Sequence, residues 1–366
     1  MASSNPEPMD SLAEDSYEVR RAKMLERNKG RVCLTPFERL DVWPDGSAVQ
    51  CCTDWMVGTP IIGNIEKQPM EEIWNSPVAK EIRKSVVDGT FSRCTERCPV
   101  LAAGTLCKIE DVPPHLKEAV AAPLEDMKIR PAFIKVVNDY SCNLQCPSCR
   151  DKVFVTNHAR SEEIAAANMR NIYPLLETAR ALDILGNGEA LVSRASMRLL
   201  QAIDPVLHKN LTIQLLTNGT LFTPKAWERL KNLHSLNIRL YVSTDGVTKA
   251  TYEKLRRGGK WEVFNDNLAF IARLRREEQI NHLMLNFTVQ ASNFRELPLF
   301  GEFAARYNAD RVVLFRLSPW PHMAKELFDA ENIFDPAHPD HAEFLDVVRG
   351  FEGHPLVEIG PLAPFR

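Results

Sequence analysis

Cys142, Cys146 and Cys149 close the run Asn138-Asp-Tyr-Ser-Cys-Asn-Leu-Gln-Cys-Pro-Ser-Cys149 with C-x3-C-x2-C spacing, directly after an apolar segment at 133–137. Three thiolates in one short loop can hold three irons of a [4Fe–4S] cluster and leave the fourth iron open. An open iron suits a chelating ligand. Structural zinc instead closes four ligands, usually from paired C-x2-C or Cys/His units, and no fourth ligand lies at a matching distance. The spacing therefore points to an open iron–sulfur cluster.

The remaining cysteines, Cys33, Cys51, Cys52, Cys94, Cys98 and Cys107, all precede residue 110, and none lies beyond Cys149. The N-terminus is rich in Ser, Glu and Pro and lacks the apolar h-region of a secretory signal. Nine cysteines in such a chain argue for metal binding or redox chemistry rather than a disulfide framework. At 366 residues, 45% hydrophobic and 25% charged, the chain is long enough for two globular domains. A net charge of −3 supplies no field to recruit nucleic acid or an anionic membrane. No stretch approaches the ~18 apolar residues of a membrane helix. The expected location is cytoplasmic.

The elements that must position these cysteines fall into four stretches. Residues 1–30 read as a polar tail, helical in part from 16 to 28. Residues 31–110 form a compact unit with a hairpin, 39–43 and 47–51, bent at Asp45-Gly46. A helix is expected over 70–87, stopped by Gly89. Residues 111–130, with Pro113, Pro114 and Pro123, read as a linker. From 131 to 366, apolar strands are expected at 133–137, 181–185, 211–216, 238–242, 283–289 and 311–315. Helical stretches lie between them: Met169, Ile172, Leu176 and Ala179 make an amphipathic face. Thr223-Pro224 opens another helix, and Asn293 with Glu296 is close to a capping box. Strand–helix alternation implies an α/β fold with a parallel sheet. Six units rather than eight imply a partial (β/α)6 TIM-like barrel, with its chemistry at the C-terminal strand ends. The cysteine loop follows the first strand at that end. Residues 357–359 are expected to close the barrel edge and line the substrate site. His338 and His341 have a spacing that could bind metal, but the flanking prolines favour a polar turn.

The back half resembles the radical S-adenosylmethionine (radical SAM) superfamily, whose defining loop is matched by Cys142 to Cys149. The resemblance implies that the open iron chelates S-adenosylmethionine, and that one-electron reduction releases a 5′-deoxyadenosyl radical that abstracts hydrogen from substrate. Leu185-Gly186-Asn187-Gly188-Glu189-Ala190 resembles the family's Gly-Gly-Glu-Pro segment, with Ala190 in place of proline. Leu216-Thr217-Asn218-Gly219 and Val242-Ser243-Thr244-Asp245-Gly246 resemble further segments. The resemblance implies cofactor binding by Gly186, Gly188, Glu189, Asn218, Ser243, Asp245 and Gln290. Glu189 would accept from the cofactor's ammonium group, and Ser243 would meet its ribose or carboxylate. Thr251-Tyr-Glu-Lys-Leu-Arg-Arg-Gly-Gly259 resembles members with an auxiliary-cluster domain. Its arginines could reach a carboxylate, though the run reads foremost as a solvated helix end.

The front unit has its own ordered signature: Cys33-Leu-Thr-Pro-Phe37, Trp43-Pro-Asp-Gly46, Cys51-Cys52-Thr-Asp54, Gly63-Asn-Ile65, Glu72-Ile-Trp-Asn75 and Cys94-x3-Cys98. It resembles the SPASM domain, a small auxiliary iron–sulfur module. The resemblance implies one auxiliary [4Fe–4S] cluster on Cys33, Cys51, Cys94 and Cys98, with Cys52 as the alternative to Cys51. Two departures stand out: the module precedes the core, and its last pair is C-x3-C rather than C-x2-C. Cys107 is left over, either an inert thiol or the hydrogen donor of an epimerase.

The expected activity is hydrogen abstraction from a small polar metabolite such as a sugar, cyclitol or amino-acid derivative. The outcome is dehydrogenation or epimerisation, with the auxiliary cluster as electron conduit. The alternative is a maturase that crosslinks or epimerises a ribosomally made peptide; the short N-terminal tail favours the small substrate. Either activity needs an external one-electron reductant such as flavodoxin or ferredoxin.

Overall fold

The computed structural model describes residues 16–186, 188–319, 323–350 and 356–358. They fall into two compact units, 1–138 with 166–183, and 139–165 with 184–366. The architecture is α/β, with a mostly parallel sheet.

In the first unit the expected hairpin forms between Arg39–Val42 and Ser47–Val49. Gly46 takes φ +79° at its bend, and a Cβ there would meet Asn64 Oδ1 at 2.8 Å. Glycine alone suits both demands. Gly63–Asn64 adds a third, antiparallel strand. On its other edge Arg39–Val42 pairs in parallel with Phe133–Val136, which pairs in parallel with Ala181–Ile184. The cysteine-rich module thus donates its hairpin to the same sheet as the first core strand.

One expectation needs correction. The helix over 70–87 is two helices, Met70–Trp74 and Pro77–Val87. Pro77 has no N–H to continue the first, and Ser76, in extended geometry, caps the second by accepting from the Ala79 amide at 3.3 Å. The break lets buried Arg83 fold back over the Trp74 ring at 4.7 Å and donate to the Trp74 carbonyl at 2.6 Å. The described part of the N-terminal stretch is helical over Tyr17–Arg27, as expected for 16–28. Helix Tyr17–Arg27 sends Arg21 to the carbonyls of Cys94, Thr90 and Phe91. The stretch 111–130 contains short helical turns at Pro114–Leu116 and Lys117–Ala121. It is tied down where Asn75 and Met127 exchange hydrogen bonds and Trp74 Nε1 donates to the Ile129 carbonyl at 2.9 Å.

In the second unit Thr212–Thr217, Asn237–Ser243, His282–Val289, Arg311–Arg316 and Val357–Glu358 pair in parallel, in that order. Alternate residues are buried, including Ile213, Leu240, Leu285 and Phe287, so one face meets the helices. Phe287 packs edge-on against Phe300 of helix Leu297–Arg306 at 4.4 Å, and Tyr252 stacks on Phe264 of helix Trp261–Arg276 at 4.5 Å. The opposite face carries Gln214, Tyr241, Ser243, Asn286 and Thr288. Val357 pairs with Val312; Ile359 lies outside the described residues. The capping box at Asn293 is not made: Asn293 Oδ1 accepts from the Gln290 amide, and Glu296 accepts from Val247 and Thr248. Among the described residues no helix is long and apolar enough to cross a membrane.

Candidate active site

The cysteine loop is built by backbone bonds on both flanks. Cys142 donates to the Phe154 carbonyl at 2.8 Å, and Cys149 and Arg150 both donate to the Cys146 carbonyl at 2.9 Å. Before the loop, Asp139 accepts from the Ser141 amide and the Ser193 hydroxyl, each at 2.8 Å. The Ser141 carbonyl then takes the Glu189 amide at 2.7 Å. This joins the loop to the Gly186–Glu189 turn, of which Asn187 lies outside the described residues. At Gly188 a Cβ would stand 2.6 Å from the Asp139 carbonyl oxygen, so only glycine allows the two backbones this close.

The three thiols line one crevice of about 200 Å³ together with Gly186, Gly188, Glu189, Asn218, Ser243 and Asp245. Each thiol has a donor beside it. Asn218 Nδ2 stands 3.8 Å from Cys142 Sγ, Arg256 Nη1 4.0 Å from Cys146 Sγ, and Arg150 Nη2 3.7 Å from Cys149 Sγ. Burial pushes the Cys146 thiol up to about 11 and raises Cys142, against the pull of Arg256 on the former. Metal ligation must overcome that preference for the neutral thiol.

Glu189 is fully buried, and burial raises its pKa. Three donors oppose that: Thr217 Oγ1 at 2.8 Å, the Asn218 amide at 2.7 Å and the Leu191 amide at 3.4 Å. Asp245 is buried at the end of its strand with φ +56°, and Arg256 pairs with it at 2.7 Å. Burial pushes the Asp245 carboxyl up while the guanidinium pulls it back. Burial also works against the Arg256 charge, but Asp245, Cys146 and Tyr252 together outweigh it and raise its pKa. The expected solvated helix end is thus a buried ion pair at Arg256. The signal lay in the spacing, since Tyr252, buried and four residues earlier, shares its helical face.

Gln290 is the one expected cofactor contact outside the crevice. It lines an adjoining pocket of about 290 Å³ that shares Ser148 and Arg150 with the crevice. Its side chain is buried and its amide Nε2 has no partner.

In the first unit Cys33, Cys51, Cys94 and Cys98 come within electrostatic reach of one another. Burial, and then the charges of the other thiols, push Cys51 and Cys94 up to about 12 each. Cys52 acts on its neighbour Cys51 more weakly than the other three. Cys107 pairs with Val32 at a short ladder and lines a pocket that also holds Cys33; its half-buried position departs from a core thiol. Among the described residues no three Cys, His, Asp or Glu side chains converge as one metal ion requires, which for zinc means ligands within about 2.3 Å of a point. A four-iron cluster takes each thiol on a separate iron, so a wider set of thiols fits it. His338 and His341 each meet a backbone carbonyl, of Ala330 and Ile333, in the polar turn expected.

Residues 33–99 match the SPASM family, an iron–sulfur cluster-binding domain. Over 179 residues the chain is 28% identical to the AdoMet-dependent heme synthase of Methanosarcina barkeri, covering 49% of this chain and 48% of the relative. The chain therefore spans about half the length of that relative. Similar solved structures include Streptococcus suis SuiB bound to S-adenosylmethionine, at TM-score 0.43 and 17% identity over 76% of this chain and 59% of that one. Another is the radical S-adenosylmethionine methyltransferase TsrM of Kitasatospora setae, at TM-score 0.38 and 16% identity over 52% and 38%.

Proposed function

We propose that this chain, a radical S-adenosylmethionine protein with a SPASM domain ahead of its core, is an enzyme that removes a hydrogen atom from a small polar metabolite. The observation that carries the reading is the single crevice in which Cys142, Cys146 and Cys149 face Glu189, Asn218 and Ser243. When bound, a reduced [4Fe–4S] cluster supplies the electron that splits S-adenosylmethionine into methionine and a 5′-deoxyadenosyl radical. The chain's own residues bind and orient. The three thiols would hold the cluster with one iron open to the cofactor. Glu189, held by its three donors, would accept from the cofactor's ammonium, and Ser243 would meet its carboxylate or ribose. The adjoining pocket, with the free amide of Gln290, would take the nucleoside half. Below Ser243 the sheet face is polar: Asn286 stands beside it in register, and the Tyr241 hydroxyl donates to Gln214. That face suits a sugar, cyclitol or amino-acid derivative.

Cys33, Cys51, Cys94 and Cys98 can ligate every iron of an auxiliary cluster, so the front module carries an electron rather than substrate. The finer reading is dehydrogenation: the substrate would lose a hydrogen atom to the bound cofactor and a proton to solvent or a base, and Cys33, Cys51, Cys94 and Cys98 would hold the cluster that takes the remaining electron. Epimerisation, with Cys107 returning a hydrogen, is the competing outcome. A one-electron carrier such as flavodoxin or ferredoxin is the reductant.

Anaerobic reconstitution tests the reading. About eight irons per chain, with 5′-deoxyadenosine formed on reduction, are expected; about four irons or no cleavage would sink it. Deuterium carried from a labelled metabolite into 5′-deoxyadenosine identifies the substrate. Solvent hydrogen incorporated into product, and lost in Cys107→Ala, would decide for epimerisation.

A further inference from the structure

Arg256, largely buried beside the cysteine loop, carries a charge that this chemistry leaves unused. Its side chain is 15% exposed, pairs with Asp245 Oδ2 at 2.7 Å through Nη2, and turns Nη1 toward Cys146 Sγ at 4.0 Å. Its Nε has no hydrogen-bond partner. Asp245 is held as firmly: its Oδ1 accepts from the Thr288 amide at 2.7 Å, and its carbonyl accepts from Asn293 Nδ2 at 3.0 Å. A non-glycine residue at φ +56° persists only where its surroundings over-determine it. The carbonyl of the next residue, Arg257, accepts from the Gln145 amide at 3.0 Å, which clamps this segment to the cysteine loop. Removing a carboxylate and a guanidinium from water is costly unless each charge meets a partner. A helix end needs no such pair, and Gly258 and Gly259 come next to end the helix.

The placement has a chemical use if the three thiols hold a cluster, the premise taken from the proposed function. Of the three thiols, only Cys146 is buried. Reduction adds one negative charge to a cluster, and charge and hydrogen bonds at the ligand sulfurs set its potential. We propose that Arg256, oriented by Asp245, is a positioning residue that stabilises the reduced initiating cluster through the Cys146 sulfur and raises its reduction potential. A purely structural Arg256 would hold the loop in place and leave the potential alone.

Potentiometric titration by electron paramagnetic resonance separates the two. The signal to follow in the reconstituted full chain is the one that changes when S-adenosylmethionine is added. Arg256→Met should lower its midpoint by at least the equivalent of a tenfold change in the reduction equilibrium, 59 mV for a one-electron couple. Arg256→Lys should recover most of that shift, and Asp245→Asn, which removes the nearby negative charge, should move the midpoint the opposite way. An Arg256→Met midpoint equal to wild type, with iron content unchanged, overturns the proposal. Should Arg256→Met lose iron, an unchanged midpoint in Asp245→Asn overturns it. A wild-type protein with no signal sensitive to S-adenosylmethionine instead overturns the proposed function on which the inference rests.

Discussion

The two cysteine sites solve opposite problems. In the loop, three thiols come from neighbouring positions on one chain segment, and polar groups from elsewhere are brought to two of them, Asn218 to Cys142 and Arg256 to Cys146, while the adjacent Arg150 serves Cys149. In the front module the thiols themselves travel. Cys33 lies before the hairpin, Cys51 just after it, and Cys94 and Cys98 beyond the split helix pair. Burial and mutual repulsion then hold Cys51 and Cys94 at about 12. A local loop can leave one metal position open because no fourth thiol need approach. Four thiols gathered by tertiary folding can close every position, which suits an electron carrier.

The strongest way to break this comparison is to remove each site separately. Replacing Cys142, Cys146 and Cys149 by Ala should remove about half the iron and abolish 5′-deoxyadenosine formation. Replacing Cys33 and Cys94 should also remove about half the iron, yet leave reductive cleavage of S-adenosylmethionine in place. Loss of cleavage in both variants would show that the division of labour is wrong. Glu189→Gln keeps the shape but removes the charge proposed to meet the cofactor; at about 2 kcal/mol for a charged hydrogen bond, S-adenosylmethionine affinity should fall roughly thirtyfold in equilibrium dialysis. Gly188→Ala sets a methyl against the Asp139 carbonyl, a strain of about 1–3 kcal/mol, and should weaken the same binding about tenfold with iron content intact.

The smallest effect concerns pH and sharpens the contrast between the sites. In metal-free protein the folded-state thiols of Cys51 and Cys94 titrate at about 12, against 9.0 for an ordinary thiol. A raised folded pKa stabilises the fold fully below pH 9 and loses that contribution as pH rises toward 12. Thermal unfolding at pH 10 should therefore show a loss of about 1 kcal/mol per thiol relative to pH 8. Cys51→Ala with Cys94→Ala should flatten most of that slope; an unchanged slope would mean that the front thiols are not buried together.

Much of the frame was legible from pattern alone. The strand expected at 283–289 forms as His282–Val289, because alternation with a period of two needs only one buried face to be satisfied. The break at Ser76-Pro77 was equally present in the residues, since proline cannot continue the preceding helix. Asn293 and Glu296 were different. Their spacing suits a capping box, but Glu296 is spent on the Val247 amide and Thr248 hydroxyl, each at 2.6 Å, groups some fifty positions away in the chain. Arg256 was misplaced for the same reason: a charged helix end is solvated by default, and only Asp245, brought from the preceding strand end, makes its burial tolerable.

Sequence alone therefore determined the cysteine loop, the ordered front motif, most strand positions and the glycines at Gly46 and Gly188, because these depend on spacing, backbone freedom and local periodicity. Tertiary structure decided that Cys33, Cys94 and Cys98 come within electrostatic reach of Cys51, that Gln290 faces a pocket beside the crevice, and that Asn218 and Arg256 reach Cys142 and Cys146. Those outcomes depend on which side chains lose water together. The cost or gain of that desolvation is set by neighbours distant in sequence, which no local pattern encodes.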